Sequence, residues 1–194
     1  MIIGITGGIG AGKSTIAEIL RSMGYLVYDS DAEARKLQNE NIELKQKIQS
    51  LFGSDIYNES GLNRQALAKI VFNNPELLAE LNNIVHPVVL SDFEVWLKSN
   101  SQAKAVFIES AILFESGFNK QTDKIILVTA SEEIRIARVV KRDGISQEQV
   151  RERIRRQTSD EEKKKWADAI IFTDNQKNTL PERIESALLR LLSN

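Results

Sequence analysis

Residues 4–15 contain several closely spaced glycines followed by a lysine and two hydroxyl residues. This spacing is suited to binding phosphate. The stretch reads GITGGIGAGKST, with Gly7, four residues, and then Gly12, Lys13 and Ser14. Bare backbone can wrap its N–H groups around phosphate oxygens, and a helix N-terminus behind the loop adds about half a positive charge. Lys13 can place an ammonium on the β- and γ-phosphates, and the Ser14 hydroxyl can ligate Mg²⁺. The stretch is therefore predicted to be a P-loop.

The nucleotide-binding residues predicted from this loop are Gly8, Gly10, Ala11, Gly12, Lys13, Ser14 and Thr15. Two other interpretations are weaker. A glycine-rich turn without a ligand would not need a strand before it and a helix after it, and both patterns are present. Gly8 and Gly10 could begin a dinucleotide fingerprint, but Lys13 stands where the third glycine is required.

Five short apolar runs are predicted to be the strands that position this loop. They lie at residues 2–6, 25–29, 105–110, 124–129 and 169–173. All are rich in β-branched or aromatic residues and apolar on both faces, as strands of a covered parallel sheet are. Helical patterns alternate with them, notably at residues 13–23, 131–143, where Ser131 is a plausible N-cap, and 179–192. The sequence predicts an α/β P-loop NTPase fold with a five-stranded parallel sheet flanked by helices.

Two interruptions of the alternation predict additional parts. Residues 32–102 contain several helical patterns, too many for one crossover, and are predicted to be a helical insertion. Residues 132–165 form a second interruption rich in basic residues. Within it the runs RERIRRQ and EEKKKW are predicted to be a solvated surface.

Polar side chains lie at the carboxyl ends of the predicted strands, where ligands of open α/β sheets bind. They are Asp29, Asp31, Glu109, Ser110, Thr129, Thr173, Asp174 and Asn175. One acid could orient or deprotonate an attacking hydroxyl, and another could hold metal-bound water. A calcium loop starting at Asp29 would need glycine where Ala34 stands, and a helix before it. A solvated strand end remains the other interpretation of Asp29 and Asp31.

Arg135, Arg138 and Arg142 share one face of the predicted helix. They could fold over the phosphates, or they could form a salt-bridged surface with neighbouring acids, and the pattern favours neither. His86, the only histidine, precedes Pro87 between two helical patterns and is more typical of a structural or capping residue.

Composition limits the class of protein. The chain has 194 residues, a net charge of -1, no cysteine and 42% apolar residues. We therefore expect a cytoplasmic globular protein that binds neither nucleic acid nor membrane, with no signal peptide and no disulfide or thiolate metal site.

Taken together, the motifs resemble those of dephospho-coenzyme A kinases. ITGGIGAGKST, YDSDAEAR, HP, ILFE, RVVKRD, a glutamine at position 157 and ADAIIFTDN occur in the family's order and spacing. The resemblance implies transfer of the ATP γ-phosphoryl to the ribose 3′-hydroxyl of dephospho-coenzyme A, with Mg²⁺, by a monomer or small homo-oligomer. It also implies three parts: a nucleotide-binding core (residues 1–31, 103–131 and 166–194), a helical acceptor domain (32–102) and a lid (132–165).

The resemblance also implies roles for individual residues. Asp31 matches the catalytic base, and Arg35, His86 and Glu115 match positions at the acceptor site. Arg138 and Arg142 match lid arginines near the phosphates, and Asn175 matches a residue near the adenine. Lys13 and Arg138 would stabilise charge on the moving phosphoryl group.

One departure from the family pattern lies before LFE (residues 113–115), where Ala111 and Ile112 replace the usual proline and leucine. Which acid near the third strand supports Mg²⁺ therefore stays open. Two other functions are considered: another small-molecule P-loop kinase, acting on nucleosides or nucleotides, and a nucleotide-dependent switch module. The absence of an NKxD motif weakens a GTPase version of the switch.

Overall fold

The fold is built around a five-stranded, all-parallel β-sheet. The computed structural model describes residues 1–72, 74–174 and 179–193. The strands are β1 (Ile2–Thr6), β2 (Leu26–Asp29), β3 (Tyr57–Asn58), β4 (Gly61–Leu62), β5 (Val106–Glu109), β6 (Lys124–Thr129) and β7 (Ala169–Phe172). The large sheet has the order β2-β5-β1-β6-β7, and β3 pairs with β4 in a separate antiparallel ribbon. The predicted fold class and its five strands are confirmed.

Nine helices occur in the described part of the chain. They are α1 (Lys13–Ser22), α2 (Ser30–Glu40), α3 (Ile42–Phe52), α4 (Arg64–Phe72), α5 (Pro75–Ser99), α6 (Glu132–Asp143), α7 (Gln147–Arg155), α8 (Asp160–Lys164) and α9 (Leu180–Leu192). Short 3₁₀ turns lie at Ser54–Ile56 and Phe118–Gln121. None of these helices is long and apolar enough to cross a bilayer.

The core explains why the apolar runs become strands. Phe107 on β5 and Ile126 on β6 are fully buried, and they pack with α1 and α9 through residues such as Leu20 and Ile184. Both faces of the central strands β1, β5 and β6 are covered, so nearly every position on them is buried, whereas the edge strand β7 leaves Ile170 and Phe172 exposed. This packing fixes the carboxyl ends of the strands, which carry the polar residues considered below.

The chain divides into two compact units. One comprises Met1–Asp29 with Ala103–Asn194, and the other comprises Ser30–Gln102. The second unit contains α2–α5 and the β3–β4 ribbon, with Leu44, Ile48 and Phe93 fully buried. Its first residue is Ser30, so Asp31 lies in this unit, and residues 132–165 group with the first unit.

One local expectation is corrected, and the position of the predicted N-cap of α6 is confirmed. The patterns on either side of His86 belong to one helix, α5, which continues through Pro87. Its buried residues recur every four positions on both sides of the proline (Leu81, Val85, Val89 and Phe93), so tertiary packing offsets the lost hydrogen bond. Ser131 occupies the N-cap of α6, but its side chain makes no capping hydrogen bond within the described residues.

Candidate active site

The P-loop joins the carboxyl end of β1 to the first turn of α1. Gly12 is the N-cap of α1 with φ 96°, a left-handed conformation that favours glycine. No side chain of the described residues caps this first turn. The start of α1 therefore presents backbone N–H groups and the positive end of the helix dipole, a combination suited to an anion.

Lys13 supplies a cation at this point. Its side chain is buried, and Nζ donates to the carbonyl of Gly7 at 3.0 Å. The ammonium is thus held against the first glycine of the loop, within the same turn that would surround a phosphate.

Ser14 and Glu109 provide oxygen atoms suited to Mg²⁺. Ser14 is exposed, and its Oγ lies 3.5 Å from Oε1 of Glu109, which ends β5 and is 7% exposed. The pair forms because β1 and β5 are neighbours in the sheet, with Ile5 opposite Glu109. A hydroxyl and a carboxylate are hard donors, so the pair fits Mg²⁺ held mainly by substrate phosphates. Among the described residues, no group of three or more His, Cys, Asp or Glu could hold a metal alone.

Arg138 lies at the edge of the P-loop. Its Nη1 donates to Oγ1 of Thr173 at 2.9 Å and to the carbonyl of Gly10 at 3.3 Å, and its Nη2 donates to the carbonyl of Thr173 at 2.5 Å. Thr173 in turn donates to the carbonyl of Ala11 at 2.6 Å. These contacts place a guanidinium beside a cavity of about 170 Å³, lined by Gly12, Thr15, Arg138, Thr173 and Leu180.

Arg142 has a different environment. It is exposed and donates to the two carboxylate oxygens of Asp143 at 2.6 and 3.0 Å. The hydrogen bond to Asp143 raises the pKa of Arg142. Asn175, the residue expected near adenine, lies outside the described residues.

Arg135 fits neither of the two roles left open for it. It is 7% exposed, its Nε donates to the carbonyl of Ile9 at 3.0 Å, and its Nη1 donates to Oδ2 of Asp160 at 3.2 Å. A Cβ on Gly8 would lie 2.0 Å from Nη2 of Arg135. The guanidinium is therefore packed against the P-loop backbone as part of a buried ion pair.

The expectation of a solvated surface is wrong at Lys163, which is fully buried on α8. Its Nζ makes no hydrogen bond with any residue that the structure describes. Burial lowers the pKa of Lys163, although the carboxylates of Glu115 and Asp160 oppose the shift. Asp160 and Lys163 are three residues apart on one face of α8. This face packs toward the interior, where Glu115 and the Arg135 guanidinium lie near it.

Glu115, which the resemblance assigns to the acceptor site, is bound within the first unit. Its Oε1 accepts hydrogen bonds from the Thr158 hydroxyl at 2.7 Å and the Thr158 N–H at 3.2 Å. Desolvation raises the pKa of Glu115, but the hydrogen bonds, chiefly from Thr158, outweigh it and leave the pKa below 4.5. Glu115 therefore contacts Thr158, whereas Glu109 is the acid that lies beside Ser14.

Asp31, Arg35 and His86 belong to the second unit. Asp31 is exposed in the first turn of α2, where the helix dipole favours a carboxylate, and Arg35 follows one turn later on the same face. His86 is half-buried in α5, and burial lowers its pKa, so the imidazole is neutral at pH 7.

Sequence reasoning overlooked Arg64, which adds a second guanidinium close to Arg35. Its Nη2 donates to the Arg35 carbonyl at 2.9 Å and its Nη1 donates to Oε1 of Gln38 at 2.7 Å. Burial and the charge of Arg35 both lower the pKa of Arg64. No local motif pointed to Arg64, because its proximity to Arg35 depends on how α4 lies beside α2.

Comparison with known proteins adds a family-level finding. The sequence model of the dephospho-CoA kinase family matches residues 1–179. A dephospho-CoA kinase of Bacteroides fragilis is 39% identical over 183 residues, which cover 94% of this chain and 89% of the relative. A Thermus thermophilus protein of known crystal structure is 40% identical with a TM-score of 0.86, covering 100% of this chain and 98% of that one. The dephospho-CoA kinase of Campylobacter jejuni is 29% identical with a TM-score of 0.71, covering 99% and 97%.

Proposed function

The chain belongs to the dephospho-CoA kinase family, and from this premise we propose how its residues carry out the family's reaction. That reaction is transfer of the ATP γ-phosphoryl group to the ribose 3′-hydroxyl of dephospho-CoA, the final step of coenzyme A synthesis. The observation that carries the proposal is a family match over residues 1–179, which includes the P-loop and the second unit alike.

The ATP phosphates bind at the start of α1. The glycine-rich loop supplies backbone N–H groups, Gly12 lets the chain turn into the helix, and Lys13 supplies an ammonium for the β- and γ-phosphates. Gly8, Gly10, Ala11, Ser14 and Thr15 complete the proposed nucleotide-binding loop.

Ser14 and Glu109 would hold Mg²⁺ together with the ATP phosphates, Ser14 through its hydroxyl and Glu109 by accepting a hydrogen bond from that hydroxyl. The ion would neutralise charge on the phosphate oxygens. The buried position of Glu109 supports this role, since its carboxylate is fixed by the sheet while Ser14 reaches solvent.

Arg138 stabilises charge on the phosphoryl group as it moves. Its guanidinium is held in place by Thr173 and Gly10, so little reorganisation is required during transfer. Arg142 is proposed to assist from the more exposed part of the lid, after exchanging Asp143 for phosphate.

Asp31 orients the acceptor hydroxyl and accepts its proton. A loose transition state makes the attacking oxygen acidic only late, so an ordinary carboxylate such as that of Asp31 can accept the proton at that stage. Because the chemistry is direct in-line transfer, positioning and electrostatics supply most of the rate.

The second unit supplies groups for the rest of the acceptor. Arg35 and Arg64 are cations that suit the diphosphate of dephospho-CoA, and the neutral imidazole of His86 can donate one hydrogen bond to the acceptor. Glu115 is proposed at the acceptor site from the resemblance alone. The lid role of residues 132–165, a cytoplasmic location and the oligomeric state remain predictions.

A coupled assay of ATP turnover, with and without dephospho-CoA, tests the proposal. We expect turnover that depends on dephospho-CoA and yields coenzyme A, with no phosphate transferred to nucleoside monophosphates. Transfer to a nucleoside or nucleotide instead would make the protein a different small-molecule kinase. Slow hydrolysis with no acceptor, together with a nucleotide-dependent partner, would favour a switch.

A further inference from the structure

Ile9, at the crest of the P-loop, is held at three points by the segment that follows β6. Its N–H donates to Oε1 of Gln157 at 2.8 Å, and its carbonyl accepts from Arg135 at 3.0 Å. Its side chain packs against a small cluster on α6 and α7 that includes Val139 and Val150. The backbone donor, the backbone acceptor and the side chain of one loop residue are thus all engaged.

Gln157 is itself fixed from both sides. Its N–H donates to the carbonyl of Ile154 at 3.1 Å, which continues the end of α7. The next residue, Thr158, donates to Glu115 through its backbone N–H and hydroxyl. A side chain anchored in this way can hold its amide oxygen at one place beside the loop.

Arg135 is also oriented by a partner. Asp160 accepts from Arg135 at 3.2 Å and from the hydroxyl of Thr129 at 2.5 Å, so the carboxylate ties the guanidinium to the end of β6. Gln157 and Arg135 therefore bind the two peptide groups on either side of the Ile9 Cα, and both side chains are themselves fixed.

The glycine-rich loop loses much conformational entropy when it becomes ordered. Gly7, Gly8, Gly10 and Gly12 have no side chains, and glycine loses more conformational freedom on ordering than other residues do. A loop that had to order itself around a triphosphate would lose part of its binding free energy to that ordering. Contacts that order it beforehand increase affinity without touching the ligand.

We propose that Gln157 is a positioning residue for nucleotide binding, which acts through Ile9 to keep the P-loop in the conformation that receives the triphosphate. Arg135, oriented by Asp160, fixes the other side of the same residue. This inference rests on the proposed function only in that the loop binds ATP, and it does not depend on the identity of the acceptor.

The test uses the full chain and a non-hydrolysable ATP analogue in calorimetric titrations without acceptor. Gln157→Met keeps the length of the side chain and removes the oxygen that accepts from Ile9. We expect the analogue to bind about 3- to 10-fold more weakly, the effect of one lost hydrogen bond. Gln149→Ala, in the capping box of α7 on the same segment, is the matched control and should leave affinity within about twofold.

Two further readouts separate positioning from general stability. In steady-state kinetics, Gln157→Met should raise the KM for ATP, leave the KM for the acceptor unchanged and lower the melting temperature by no more than a few degrees, the effect of one hydrogen bond lost from the fold. Hydrogen exchange at the Ile9 amide should be slow in the parent without nucleotide and faster in Gln157→Met. Unchanged analogue affinity, equal losses in both control and variant, or fast Ile9 exchange in the parent would each overturn the proposal.

Discussion

The hydroxyl of Ser14, on the first turn of α1, lies 3.5 Å from the carboxylate of Glu109 at the end of β5. The two residues are far apart in the chain and meet because β5 neighbours β1 in the sheet. This relationship selects Glu109 as the acid that supports Mg²⁺ in the proposed mechanism.

Glu109→Gln should raise the Mg²⁺ concentration needed for half-maximal turnover by about 10- to 100-fold, since an outer-sphere carboxylate typically contributes that much. Magnesium titrations at saturating ATP would measure it. In a double-mutant cycle with Ser14→Ala, the second substitution should raise this Mg²⁺ concentration much less than the first does, because both residues support the same ion. Additive effects in that cycle would contradict a shared magnesium site.

Asp31→Asn should lower turnover by about 10²- to 10⁴-fold, the usual contribution of a general base, while ATP affinity stays nearly unchanged. Single-turnover phosphoryl transfer and an ATP-analogue titration would measure the two quantities separately. Glu33→Gln, also in the first turn of α2, is the matched control and should retain activity. Parallel loss of rate and nucleotide affinity in Asp31→Asn would instead indicate a structural carboxylate.

Arg138→Ala should reduce turnover by about 10²-fold, because it removes a preorganised cation from the phosphates. Arg142→Ala should cost less, since the exposed Arg142 guanidinium is engaged by Asp143. Arg155→Ala, which removes an exposed arginine paired with Glu148, should leave kinetics unchanged. The assignment of Arg138 would fail if its variant behaved like Arg155→Ala.

Asp160→Asn should destabilise the fold by about 3 kcal/mol, because it removes a carboxylate beside the buried cations of Arg135 and Lys163. Urea unfolding would measure the loss. Glu161→Gln changes an exposed pair with Lys164 and should shift stability by less than about 0.5 kcal/mol. Similar small shifts in both variants would show that the buried ion pair adds little.

Stability should fall as the solution is acidified below pH 6.5, in part because of His86. Burial lowers the pKa of His86 in the fold below its usual value of 6.5, which the unfolded chain keeps. Between the folded and the unfolded pKa, the unfolded chain binds a proton that the folded chain does not. Protonation therefore favours unfolding in that window, and His86→Gln should reduce the slope of stability against pH there. Denaturation series at several pH values would measure this, and an unchanged slope would contradict it.

Local patterns in the sequence were enough to predict the sheet and the P-loop. The strands are short apolar runs, the central ones buried on both faces, and Gly12-Lys13-Ser14 lies at a strand-to-helix junction, so neither required knowledge of distant contacts. Strand order was not encoded in the same way, which is why the pairing of Ser14 with Glu109 could not be predicted.

The misjudged residues share a dependence on distant partners. Arg135 and Lys163 lie in charge-rich helices, and such charges are usually solvated. The carboxylates of Asp160 and Glu115 stabilise these buried cations. The packing of α8 beside β6 brings the carboxylates and the cations together. Helix α5 was divided at Pro87 because local propensity opposes proline, whereas its buried stripe continues past that residue.

The near contact between Gly8 and Arg135 has a consequence for sequence variation in this chain's own lineage. A methyl group at position 8 would displace the guanidinium from its place beside Asp160. A side chain at position 8 therefore costs the Arg135–Asp160 ion pair, and a shorter residue at position 135 would relieve the clash.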